Sequence, residues 1–220
     1  MFKSQKHVFW QALLVTLLIF GIGIVLGIIL ENWRTGQVNF LFQKSEIDLL
    51  DVKLQSEIYA EGNFNCEFAI QENMDFADRI FEEAKILDRY EQASRLTGDI
   101  ELQHKRYDLL RAILFLNSIR IKEYCNASYS NVVYFYSYSN PLIETRAKQN
   151  AFSKLLGELK KKKGDKILLI PLAGDNNLTS VSLLLNKYEI SEEDLPIILI
   201  NEKIKISELQ TVKKIEKYFD

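Results

Sequence analysis

Cys66 and Cys125 are the residues of this chain best suited to covalent chemistry. A thiol pair has three uses: a structural bridge, two separate buried thiols, or a redox couple. No C-x-x-C occurs, and neither cysteine has an adjacent basic residue to hold a thiolate, which weighs against the redox use. Metal binding fails on ligand number. His7 and His104 are the only histidines; His7 abuts an apolar run, and His104 lies in the charged segment Gln103-His104-Lys105-Arg106, where a solvated side chain is expected. Ala173-Gly174-Asp175-Asn176-Asn177 has a single glycine and no Walker lysine, so it reads as a turn with helix capping and not as a phosphate loop. No metal and no cofactor is implied, and no catalytic residue stands out.

Positioning the cysteines falls to the acidic stretch 45–128, which has 17 Asp or Glu against 10 Lys or Arg and no proline. Ile47, Leu50, Leu54 and Ile58, spaced by three, four and four, predict a short amphipathic helix with that stripe inward. Asn65 is a suitable N-cap for a second helix running to about Leu96, with Ile70, Met74, Ala77, Phe81, Ala84 and Leu87 inward. Thr97-Gly98-Asp99 ends it, with Gly98 at the C′ position and Asp99 capping a third helix over roughly 100–125. Leu109, Leu110, Ile113, Leu114, Leu116 and Ile121 make that helix apolar on more than one side. Folding the chain back at Gly98 brings Cys66 and Cys125 to the open end of a long hairpin, where a disulfide is the expected use of the pair. Disulfides persist outside the cytosol, so a bridge also places this block there.

Before this block lies Val8–Leu30, 23 residues without a charge. As a helix it would reach ~35 Å, against a hydrocarbon core of ~30 Å. The run exceeds the 7–15 residues of a signal h-region and has no small-residue cleavage site, so a retained transmembrane anchor is expected. Trp10 and Trp33 sit at its ends, as interfacial aromatics do. Gly23-x-x-x-Gly27 offers a close-packing face for a homodimer, although glycine is also common in such helices without pairing. Lys3 and Lys6 before the span favour an N-terminus on the cytoplasmic side, with the rest of the chain extracytoplasmic. The expected organisation is a tail at 1–7, the span at 8–30, a linker at 31–44, the helical block at 45–128 and a further domain at 129–220.

That last domain holds all three prolines and is mildly basic, with 14 Lys or Arg against 12 Asp or Glu. Neither half is basic enough to suggest nucleic acid as a partner. The β-rich run 131–139 is followed by a helix over about 142–163, closed by Lys160–Lys163 and Gly164. A strand over 166–172, a helix over 177–188 and a strand over 197–201 come next. A short extended piece at 203–206 and a terminal helix with Ser207 and Gln210 as a capping box complete the chain. If 203–206 is loop instead, the pattern also fits a small parallel doubly wound domain.

Three local features carry a resemblance: Val132 to Leu142 (VVYFYSYSNPL), Leu195-Pro196-Ile197 before an apolar strand, and the run NEKIKISELQTVKKI from Asn201 to Ile215. Together they resemble the thioredoxin fold over residues 131–220, so the fold class expected is an α/β thioredoxin-like domain preceded by an all-α block and a transmembrane helix. The resemblance implies a cis bond before Pro196, and a peptide-accepting groove lined by Tyr136, Tyr138, Ser139, Asn140, Leu195 and Pro196. Alternate tyrosines covering a strand would look the same in sequence. Where the family carries C-x-x-C, this chain has Ser139-Asn140-Pro141-Leu142, which removes both sulfurs needed for exchange. Ser139 has no adjacent general base and does not replace them. The function expected is therefore a membrane-anchored, redox-inactive module that binds a protein or peptide as an accessory factor. The alternative is an atypical envelope thiol–disulfide oxidoreductase using Cys66 and Cys125.

Overall fold

The computed structural model describes the backbone of residues 5–93, 98–139 and 141–219 and, within those, the side chains outside 5–7, 34–35, 37–42, 45 and 84–100. The chain divides into two compact units, Met1–Glu46 and Ile47–Asp220. Helix α1 covers Gln5–Glu61, so residues 31–44, expected as a linker, are helical. Within it Val8–Trp33, 26 residues, is long and apolar enough to cross a membrane.

In the second unit α1 turns an unexpected face inward. Val52 is buried and Leu49 packs against the same core, while Ile47, Leu50, Leu54 and Ile58 stand in solvent. The reason is polar: Arg120 donates to the Ser56 carbonyl (3.0 Å) and to the Ser56 hydroxyl, which fixes the inward side of the helix. Gly62 and Asn63, both at positive φ, then end α1. The second helix, α2 (Cys66–Ala93), starts as its sequence indicates, with the Phe68 N–H donating to Asn65 Oδ1 at 2.9 Å. Its buried stripe is Ala69, Asn73, Phe76 and Ile80, with Met74 beside it, which leaves Phe81 exposed. The third, α3 (Gly98–Cys125), begins at Gly98, which is therefore helical and not a helix terminator; Thr97 lies outside the described residues.

The sheet contains β1 (Ser130–Tyr136), β2 (Ile167–Ala173), β3 (Ile197–Ile200) and β4 (Ile204–Ile206), in the order β2-β1-β3-β4. Strands β1 and β2 are parallel, whereas β3 is antiparallel to both β1 and β4. The mixed pairing excludes the all-parallel alternative. Between the strands run α4 (Ile143–Lys163) and α5 (Thr179–Lys187), and α6 (Val212–Ile215) follows β4. Strand alternation sorts the core into two layers. Val133, Phe135, Leu168, Ile170, Leu172 and Leu199 face the helical block and α5. Val132, Tyr134, Ile198 and Ile200 face α4 and α6, meeting Phe152, Leu156, Leu159 and Ile215. Helix α3 thus touches α2 on one side and β1, β2 and α5 on the other, which accounts for its wide apolar surface.

The terminal helix starts later than its sequence indicates. Thr211 precedes it and Ser207 with Gln210 make no capping box, because the chain must cross from buried Ile206 at the sheet edge to buried Ile215 over α4. The lysine run closing α4 is occupied locally. Lys160 donates to the carbonyls of Gly164 and Ile167, both at 3.1 Å, Lys162 pairs with Glu216, and Lys163 lies over the Phe219 ring.

Candidate functional site

The end of β1 is where the residues singled out in the sequence converge. Phe135 pairs with Ile197, so the residues before β3, Leu195 and Pro196, lie alongside Tyr136 as it leaves the sheet. The Leu195–Pro196 bond is cis. Tyr136 and Tyr138 are half-buried and Ser139 is exposed, whereas Leu195 and Pro196 are buried. Asn140 lies outside the described residues. Leu195 and Pro196 therefore form a floor under the turn, and Gly174 explains why. Its backbone runs so close that an added Cβ would sit 2.8 Å from Leu195 Cδ1.

The turn itself is held by one carboxylate. Asp175, in the loop after β2, accepts from the Ser137 hydroxyl (2.6 Å), the Tyr138 N–H (2.6 Å) and the Ser139 N–H (3.0 Å). The Ser139 hydroxyl donates to the Asp175 carbonyl at 3.2 Å, and Gln149 Nε2 to the Ser137 carbonyl at 2.8 Å. Charge-assisted bonds of this kind are stronger than neutral ones. The two backbone amides most available to an incoming group are thereby already used. Beyond them, Leu142 and Ile143 at the start of α4 are 76% and 89% exposed. Sequence reasoning placed Leu142 only as a helix start and missed both as surface. Two consecutive apolar residues directly after a proline, ahead of a helix whose inner stripe begins later, are the signal that marks them.

Under the loop lies a buried polar group on α3. Asp108 accepts from Asn176 Nδ2 at 2.5 Å, from the Ala173 N–H at 3.3 Å and from Arg111 at 3.2 Å. Burial raises the Asp108 pKa, against the pull of Arg111 and the two hydrogen bonds. Burial opposes the charge on Arg111, but Tyr136 and Asp108 together hold its pKa above the ordinary guanidinium value. A polar chain therefore runs from α3 through Asn176 and Asp175 to the turn. Asp108 and Arg111 stand three residues apart on a helix that carries several other charges, so nothing local in the sequence marked them as the buried pair or pointed to their partners.

Cys66 and Cys125 are bridged, with Cα atoms 5.5 Å apart, joining the first residue of α2 to the last of α3. Both residues are half-buried. The bridge precedes β1 and the turn follows it, so a strand of seven residues separates them, ~23 Å at the rise of an extended chain. The two candidate sites are distinct, and the bridge does not stand where the turn would present a dithiol. The chain matches no protein-family model, no curated protein and no solved structure.

Proposed function

We propose that this chain is a single-pass membrane-anchored protein whose extracytoplasmic part is a redox-inactive thioredoxin-like module that binds a protein or peptide as an accessory factor. The strand order β2-β1-β3-β4, with β3 antiparallel and helices on both faces, supports the thioredoxin-like reading. One observation carries the binding reading. The turn at Ser137–Ser139 is locked by Asp175 and has no sulfur, while Leu142 and Ile143 beside it project into solvent. Such a surface suits an extended segment that brings apolar side chains, and offers nothing for exchange chemistry.

A photoreactive residue at Ile143 of the full-length chain in native membranes tests this. A discrete protein adduct at Ile143, unaffected by reductant and not formed from exposed Leu183 on α5, is the expected result. Equal labelling from both positions, or none from Ile143, contradicts it.

The partial exposure of both cysteines favours a second reading, an atypical envelope oxidoreductase using Cys66 and Cys125. A mixed disulfide trapped on Cys66 by Cys125→Ser would support that reading over the first.

A further inference from the structure

Helix α1 uses one face and leaves another bare. Leu49 and Val52 pack into the core of the second unit, and Ser56 is bonded to Arg120. On the far side Ile47, Leu50, Leu54 and Ile58 are 68%, 60%, 60% and 54% exposed. Spaced three, four and four, this apolar row follows an 11-residue period of ~3.67 residues per turn, which can serve as the seam of a helix pair with right-handed supercoil. On a helix already docked to its own domain, that seam has no intramolecular use.

We propose that the outward face of α1 from Ile47 to Ile58 pairs with the same face of a second copy, as a short parallel helix pair. The inference rests on the membrane-anchored reading above. Every copy carries the membrane-crossing stretch and the seam on one helix, with sixteen residues between Leu30 and Ile47. Two copies anchored in one membrane therefore carry the seam at the same number of residues from the anchor and in the same chain direction. A shared anchor favours the parallel arrangement over the antiparallel one.

The size of the seam also points to a second copy. Four side chains per chain fall short of the ~1,200 Å² that stable free-standing interfaces bury. Glu46 and Asp51 beside the seam oppose pairing by like charge. Confinement of both chains to one membrane raises the effective concentration toward the ~mM range, enough to favour a contact this small. A soluble partner would gain nothing from the anchor.

The test uses full-length Leu54→Cys in native membranes. The native cysteines are bridged to each other, so the new thiol is the only free one among the described residues. Lys53→Cys, exposed but off the seam, is the control. On mild oxidation Leu54→Cys is expected to form a reducible dimer of twice the chain mass several-fold faster than Lys53→Cys. Adding Leu50→Glu is expected to abolish it. Equal rates at the two positions, or a crosslink to a protein of another mass, would overturn the proposal in material that resists carbonate extraction. Release of the chain by carbonate would instead overturn the anchored reading, and this inference with it.

Discussion

The His104 ring on α3 lies 4.3 Å from the ring of Tyr138, at the turn after β1. Two consequences follow. His104, expected in solvent from its charged sequence neighbours, is buried at 7% exposure because the helical block packs over the sheet. The turn is also covered on that side, so Ser139, Leu142 and Ile143 form its open flank. The block that the sequence presents as an addition before the α/β portion is thus part of the wall of the candidate site.

The Asp108–Arg111 pair is expected to be indispensable as a pair and dispensable as charges. Asp108→Leu alone leaves a buried guanidinium without its carboxylate and should destabilise the fold by about 3–5 kcal/mol. Asp108→Leu with Arg111→Met should recover part of that loss, since both charges are removed together, while the Asn176 amide and the Ala173 N–H stay without their acceptor. Denaturant unfolding of the full chain in detergent measures both. Equal destabilisation of the single and double variants would show that Asp108 acts through Asn176 and Ala173 and not through Arg111.

Gly174→Ala is expected to cost about 1–3 kcal/mol by overpacking, because the new methyl meets Leu195 Cδ1 and Cδ2 at 2.8 and 3.2 Å. Leu195→Ala in the same chain should give a non-additive pair, the smaller side chain making room for the methyl. Strict additivity in thermal unfolding would mean that the loop shifts as a whole instead.

Burial raises the ionisation of Tyr107, Tyr129 and Tyr134 well above the ordinary value of 10.0, and that of Tyr188 to about 12. A raised folded-state pKa means that the fold holds protons the unfolded chain has released. The stability these groups contribute is full below pH 10.0 and is lost as pH rises through their raised values, about 12 for Tyr188. The phenolate absorbance of these tyrosines should therefore appear only above the ordinary pH of ionisation, coinciding with loss of structure. A single titration near pH 10 with the fold intact would contradict the packing described.

Much of the architecture is legible in sequence where one local rule decides it. Asn65 caps α2, the strand and helix rhythm from residue 130 gives the sheet elements, and the pairing of α2 with α3 brings Cys66 to Cys125. The rest depends on distant partners. The face that α1 buries is set by Arg120 reaching Ser56 across 64 residues, not by which side is more apolar. His104 is drawn inward by Tyr138, and Asp175 becomes the lock on the turn through loops that meet only after the sheet forms. The C-terminal helix start moved for the same reason, since the path from Ile206 to Ile215 overrides a local capping pattern.

The proposed function requires a bridged, extracytoplasmic module that binds without redox turnover. A maleimide mass-shift assay on the native chain in its own membranes, with and without prior reduction, tests it most directly. The account predicts that Cys66 and Cys125 label only after reduction and that the unreduced chain shows no internal thiol. It also predicts that serine at either position lowers stability by about 4 kcal/mol, as expected for a closed loop of this length. Immediate labelling of both cysteines, or a persistent mixture of oxidised and reduced chains, would contradict it.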